Sequence, residues 1–146
     1  MHGHPPQLWS SSPITFAMWI SSCDATESAF GPRLFFRWDL PETELEFIEP
    51  GSVLPGGPVA VYDGRGRNET PLWLPEQRAL VFADALTAPE GGRLRVWASP
   101  SYQARALPAL RALLELPFEH VIVSHGEPVH SRAAFEQALE IEPWRG

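Results

Sequence analysis

Apolar and polar positions along this chain change rhythm near residue 44. Residues 1–13 are rich in Pro, Ser and His and read as loop. The run Ile14-Thr-Phe-Ala-Met-Trp-Ile-Ser-Ser is apolar but too short to choose between strand and helix. Residues 24–30 suit one helical turn, and Leu34-Phe-Phe-Arg-Trp is β-like through its aromatics. From there the pattern is more regular. Glu44-Leu-Glu-Phe-Ile alternates polar and apolar residues, as a half-buried strand does. Pro50-Gly51 and Pro55-Gly-Gly-Pro58 are turns, and Val59-Ala-Val-Tyr is the strand after them. A polar loop at 63–68 leads to a short strand, Pro71-Leu-Trp-Leu.

Ala79-Leu-Val-Phe-Ala is a continuous apolar run of the length of a central strand, and it ends at Asp84. Leu94-Arg-Val-Trp is a further strand. A helix follows, with Pro108 in its first turn, where a missing N–H costs nothing. Leu107, Leu110, Leu113 and Leu114 form its apolar stripe, and Pro117 stops it. His120-Val-Ile-Val is the last strand, closed by Ser124-His125-Gly126. Ser131 caps a final helix over residues 132–140 that turns Phe135 and Leu139 to the core. Strands and helices in this order make a layered α/β fold, here taken as a single domain in which 1–43 is irregular and 44–144 regular.

Composition narrows the function. The chain has 146 residues and a net charge of −7, with 11 basic residues that are all Arg. No basic cluster is present, which argues against nucleic acid and anionic membrane surfaces as partners. No stretch approaches the ~18 apolar residues of a transmembrane helix. Cys23 stands alone, so no internal disulfide forms, and a reducing, cytoplasmic location is expected. The run ending at Cys23 mimics a lipoprotein signal, but residues 1–13 lack the basic n-region such a signal needs.

Asp84 and His125 are the strongest candidates for chemistry. Each directly follows an apolar strand, and the C-terminal ends of strands are where α/β folds place ligands. Gly126 lets the chain turn beside the imidazole. Taken singly, each also suits a structural role: a carboxylate paired with an Arg, or a hydrogen-bonded histidine. Ser124 beside His125 suggests a nucleophile and base, but adjacent strand residues point apart, and no Gly-x-Ser-x-Gly elbow is present. His120 opens a strand and is expected to face solvent; His130, five residues after His125, is a candidate to approach the same site.

Four stretches together resemble the second half of a metallo-β-lactamase-fold protein: Leu54-Pro-Gly-Gly-Pro-Val-Ala-Val, Glu69-Thr-Pro-Leu-Trp-Leu-Pro-Glu, Ala79-Leu-Val-Phe-Ala-Asp-Ala-Leu and Val121-Ile-Val-Ser-His-Gly-Glu-Pro-Val. The resemblance covers about residues 44–144. It implies a partial αββα sandwich and, in active members, zinc with a metal-bound hydroxide that hydrolyses esters, thioesters, lactams or phosphodiesters. It also implies that Asp84 matches the bridging carboxylate and His125 the last histidine ligand.

The departures from that pattern matter as much. The family signature is His-x-His-x-Asp-His, whereas this chain begins Met1-His2-Gly-His4-Pro-Pro6-Gln7. His2 and His4 match the first two ligands. Pro6 and Gln7 replace the Asp and His of the second metal. The family's middle histidine falls near Arg65 and Arg67, which stay protonated and repel a cation. A catalytic zinc takes about three protein ligands plus water. Asp84 and His125 supply two, and adding His2 or His4 would bring the set to three or four. The reading is therefore a hydrolase-like protein with an incomplete metal site, weak or inactive, its substrate unread. The alternative is a non-catalytic binding or interaction module of the same fold. A sandwich lacking its first strands is either truncated or completed by a partner, and its unpaired edge favours a homo-oligomer.

Overall fold

A computed structural model describes residues 19–21, 28–32, 45–61, 69–89 and 91–145. The strands are β1 (Trp19–Ser21), β2 (Ser28–Pro32), β3 (Leu45–Ile48), β4 (Val59–Ala60), β5 (Leu72–Leu74), β6 (Ala79–Phe82), β7 (Leu86–Thr87), β8 (Arg95–Val96) and β9 (His120–Val123). The helices are α1 (Leu107–Ala112) and α2 (Arg132–Glu140). The first three strands form one sheet, β1-β2-β3, with β2 and β3 parallel. The second sheet runs β4-β5-β6-β9, antiparallel until its last pair. β6 and β9 are parallel, with Ala79 opposite His120 and Phe82 opposite Val123. A parallel pair needs a long crossover, and the β7–β8 hairpin and α1 supply it.

The second sheet packs on both faces, with Ile122 of β9 left exposed on the outer one. Trp73, Leu80, Phe82, Val121 and Val123 point into the main core with Leu110, Phe118 and Phe135. Leu72, with Leu74 and Val81 beside it, packs on the opposite face against Ile48 and Leu54. This explains why β6 reads as a continuous apolar run rather than an alternating one. Phe135 is the hinge pin of the core: its ring meets Phe118 edge-on at 5.1 Å and Phe82 at 6.2 Å.

The expected central strands, the turn at residues 55–58 and the final helix are all present. Ser131 caps α2 through its side chain, which accepts from the Ala134 N–H at 3.2 Å. The turn is closed by the Leu54 N–H donating to the Pro58 carbonyl at 2.7 Å.

Three expectations are corrected, and one strand is new. Residues 28–30 lie in β2 rather than in a helical turn, because pairing with β1 and β3 on both sides outweighs local propensity. In β3 the alternation predicts a buried Phe47, but Ile48 is buried and Phe47 is 49% exposed, because Ile48 meets Leu54 and Leu72 at the strand's end. The chain is already helical before Pro108: Tyr102–Ala106 forms a wide π turn that runs directly into α1. β7, a two-residue strand buried as Leu86 and Thr87, is too short to show a period. The β-like stretch at 34–38 and the loop at 63–68 lie outside the described residues. Among the described residues no helix is long and apolar enough to cross a membrane.

Candidate metal centre

The parallel register of β6 and β9 builds the site. Each pair in that register is 41 positions apart, from Ala79–His120 to Phe82–Val123. Asp84 and His125 keep the same offset, two residues beyond the last paired rung. The two side chains therefore emerge side by side, with His125 Nε2 3.2 Å from Asp84 Oδ1. Both are partly open to solvent, at 57% for His125 and 37% for Asp84. A carboxylate and an imidazole this close, facing out over strand ends, can share a proton or converge on a cation.

The backbone under these side chains is held from three directions. Glu69, just ahead of β5, is 3% exposed. Its Oε1 accepts from the Ala83 N–H at 3.1 Å, and its Oε2 accepts from the Asp84 and Ala85 N–H groups at 2.9 and 2.8 Å. One buried carboxylate thus satisfies three successive amides of the turn that carries Asp84. Burial lifts the Glu69 pKa from 4.5 to about 7, against the three amide hydrogen bonds that favour its anion, while the nearby Asp84 charge adds to the rise.

The second hold crosses between the strand ends, where Ser124 Oγ donates to the Ala83 carbonyl at 2.7 Å. That bond commits the Ser124 hydroxyl to the backbone rather than to His125. The third fixes His125: its carbonyl accepts from the Ala88 N–H at 2.8 Å and from Thr87 Oγ1 at 3.1 Å. β7 therefore anchors the histidine loop. Gly126 has φ +124°, and a Cβ there would lie 2.4 Å from the Ala88 carbonyl oxygen, so only glycine fits this close approach. Trp97 flanks the imidazole, ring centres 6.5 Å apart, and meets Trp144 edge-on at 4.7 Å. Beyond Trp97 lies an open groove of about 1010 Å³, bordered also by Tyr102, Leu107, Arg111 and Ile141.

Asp84 and His125 are thus brought together at neighbouring strand ends, and among the described residues Asp84 takes His125 rather than an Arg as its partner. His130 is not at this site. The chain reverses after Gly126 and forms an antiparallel bridge between Val129 and Val121, which carries His130 back to His120 at the opposite end of β9. His2, His4, Pro6, Gln7, Arg65 and Arg67 lie outside the described residues. Thr87 and Trp97 carry no sequence signal that ties them to this site. The one sequence signal for Glu69 is an acidic residue set against the buried run Pro71-Leu72-Trp73.

No family model and no curated protein matches the chain. Solved structures do. A metallo-beta-lactamase family protein from Thermus thermophilus matches with a TM-score of 0.50 and 17% identity, over 68% of this chain and 36% of that one. This is a partial metallo-β-lactamase-like fold. At that identity the likeness is one of fold, and the chain spans little more than a third of the relative's length.

The metallo-β-lactamase-like fold raises the question of zinc, and the donor set answers it in part. Asp84 and His125 are of the right chemistry and face the same way. Among the described residues, however, no group of three or more His, Cys, Asp or Glu side chains is placed to hold a metal. Two donors do not fit a catalytic zinc, which takes about three.

Proposed function

We propose that this chain is a metallo-β-lactamase-like protein of the hydrolase type whose metal site is incomplete, with weak or no hydrolysis of its own. Asp84 and His125 are its inherited metal ligands, and His2 and His4 are the histidines left to complete the set. The observation that carries this reading is the Asp84–His125 pair at 3.2 Å on neighbouring parallel strand ends. The likeness of fold supports it. No bond-breaking step follows from two ligands. What the chain's own residues do is hold a carboxylate and an imidazole in register over a backbone pinned by Glu69 and Ser124.

A second reading, a non-catalytic binding module of the same fold, is favoured by the groove that shares Trp97 with the pair. Zinc content of the full chain after loading and removal of excess metal separates the two. Zinc that is retained, and lost in both Asp84→Ala and His125→Ala, supports the metal reading. Retention below about 0.1 equivalent sinks it. Weakening by His2→Ala or His4→Ala marks those residues as the completing ligands.

A further inference from the structure

The structure places a second histidine pair away from the Asp84–His125 pair. Val121 and Val129 exchange both backbone hydrogen bonds, each N–H donating to the other's carbonyl at 2.8 Å. They are a hydrogen-bonded antiparallel pair, so the neighbouring pair, His120 and His130, is of the non-hydrogen-bonded kind, in which side chains stand closest. The two imidazoles meet there with Nδ1 to Nδ1 at 3.0 Å, ring centres 4.9 Å apart and planes at 80°. His130 is exposed and His120 half-buried, so water and ions reach them. Their backbone is fixed on the inner side, where the His120 N–H donates to the Arg78 carbonyl at 3.1 Å. The adjacent charges already neutralise each other, with Arg78 Nη1 2.8 Å from Glu119 Oε1.

We infer that His120 and His130 form a surface site for one divalent transition-metal cation of tetragonal preference, copper(II) or nickel(II). The 3.0 Å contact is a hydrogen bond in which one Nδ1 carries the proton; with that proton moved to Nε2, both Nδ1 lone pairs are open to a cation between the strand and its partner segment. For metal–nitrogen bonds of about 2.05 Å, nitrogens 3.0 Å apart subtend ~94° at the metal. That angle suits two cis positions of a square-planar or tetragonal ion. A tetrahedral zinc wants the nitrogens about 3.3 Å apart. Copper(II) also heads the affinity order for nitrogen sites. Water fills the remaining positions. The site is independent of the proposed function: His125 follows His120 by five residues, roughly 16 Å along an extended strand.

The test is a copper(II) titration of the full chain carrying His2→Ala and His4→Ala, which removes the histidines beside the amino terminus. Electron paramagnetic resonance counts the bound nitrogens, and circular dichroism confirms the fold of each variant. One equivalent bound with two imidazole nitrogens is expected. Adding His120→Ala is expected to weaken binding ~10-fold or more, and His130→Asn likewise, since each deletes one of two ligands. Adding Asp84→Ala is expected to leave it unchanged. Binding that survives both His120→Ala and His130→Asn within about twofold overturns the site. Binding lost instead with Asp84→Ala moves the metal to the other pair, overturning this inference while supporting the proposed function.

Discussion

The backbone N–H of Asp84 donates to the buried Glu69 carboxylate at 2.9 Å, so the presentation of one candidate ligand depends on a residue 15 positions away. Replacing Glu69 with Ala strips acceptors from three successive amides, those of Ala83, Asp84 and Ala85. An unsatisfied buried amide costs about 1–3 kcal/mol, and water entering the space recovers part of it. Glu69→Ala is therefore expected to lower unfolding stability by about 2–4 kcal/mol in urea melts. A loss below about 0.5 kcal/mol would show that the turn holds itself without this carboxylate.

The same carboxylate sets a pH dependence of definite sign. Desolvation raises its pKa from 4.5 to about 7 in the folded chain. Between those values the folded state keeps the proton that the unfolded state has released. Stability from this group is thus complete below pH 4.5 and is lost as pH rises through about 7. The span is worth about 3 kcal/mol. Glu69→Gln does not titrate, so the stability gap between wild type and variant is expected to narrow steadily as pH rises through that window. Urea midpoints across the window measure it, and a gap that stays constant would refute the titration.

What the sequence revealed and what it hid divide along the range of the interactions. Ser131 and the spacing of Phe135 and Leu139 are local, and α2 is where they put it. The apolar run 79–82 and the strand 120–123 are equally legible, and once they pair in parallel the meeting of Asp84 with His125 follows from the register. Glu69 acts across the fold through backbone amides, which no local pattern records. His130 is a candidate for the His125 site by its nearness in sequence, which conceals the reversal that brings it back to His120 at the other end of β9. The π turn at Tyr102–Ala106 is invisible for a related reason: Pro108 signals a helix start, while the preceding residues join the helix through wider bonds such as Ala106 N–H to the Ser101 carbonyl, alongside the ordinary bond from Arg105 N–H to that carbonyl.

The Asp84–His125 pair itself is expected to add little to stability. Its members are 37% and 57% exposed, and pairs so open to water contribute about 0–1 kcal/mol. Asp84→Asn and His125→Asn should each unfold within about 1 kcal/mol of wild type. A loss above about 2 kcal/mol in either would mean that the pair is a structural clamp, and would weaken the case for reading it as a ligand pair.

Gly126 connects the fold to the candidate ligand most directly. At φ +124° a side chain is strained in any surroundings, and here a Cβ would also lie 2.4 Å from the Ala88 carbonyl oxygen and 2.7 Å from the Ala88 Cβ. The atoms in the way are backbone and a short side chain, so no rotamer change relieves the clash. The loop must shift, and it carries the His125 carbonyl that accepts from Ala88 and Thr87. Gly126→Ala is expected to cost about 2–4 kcal/mol, combining backbone strain with overpacking. Because β7 and the His125 loop separate together, amide exchange at Ala88 should quicken more than at Val121, whose partner Val129 is untouched. Equal protection at Ala88 in wild type and variant would show that the loop absorbs the methyl group without moving the histidine.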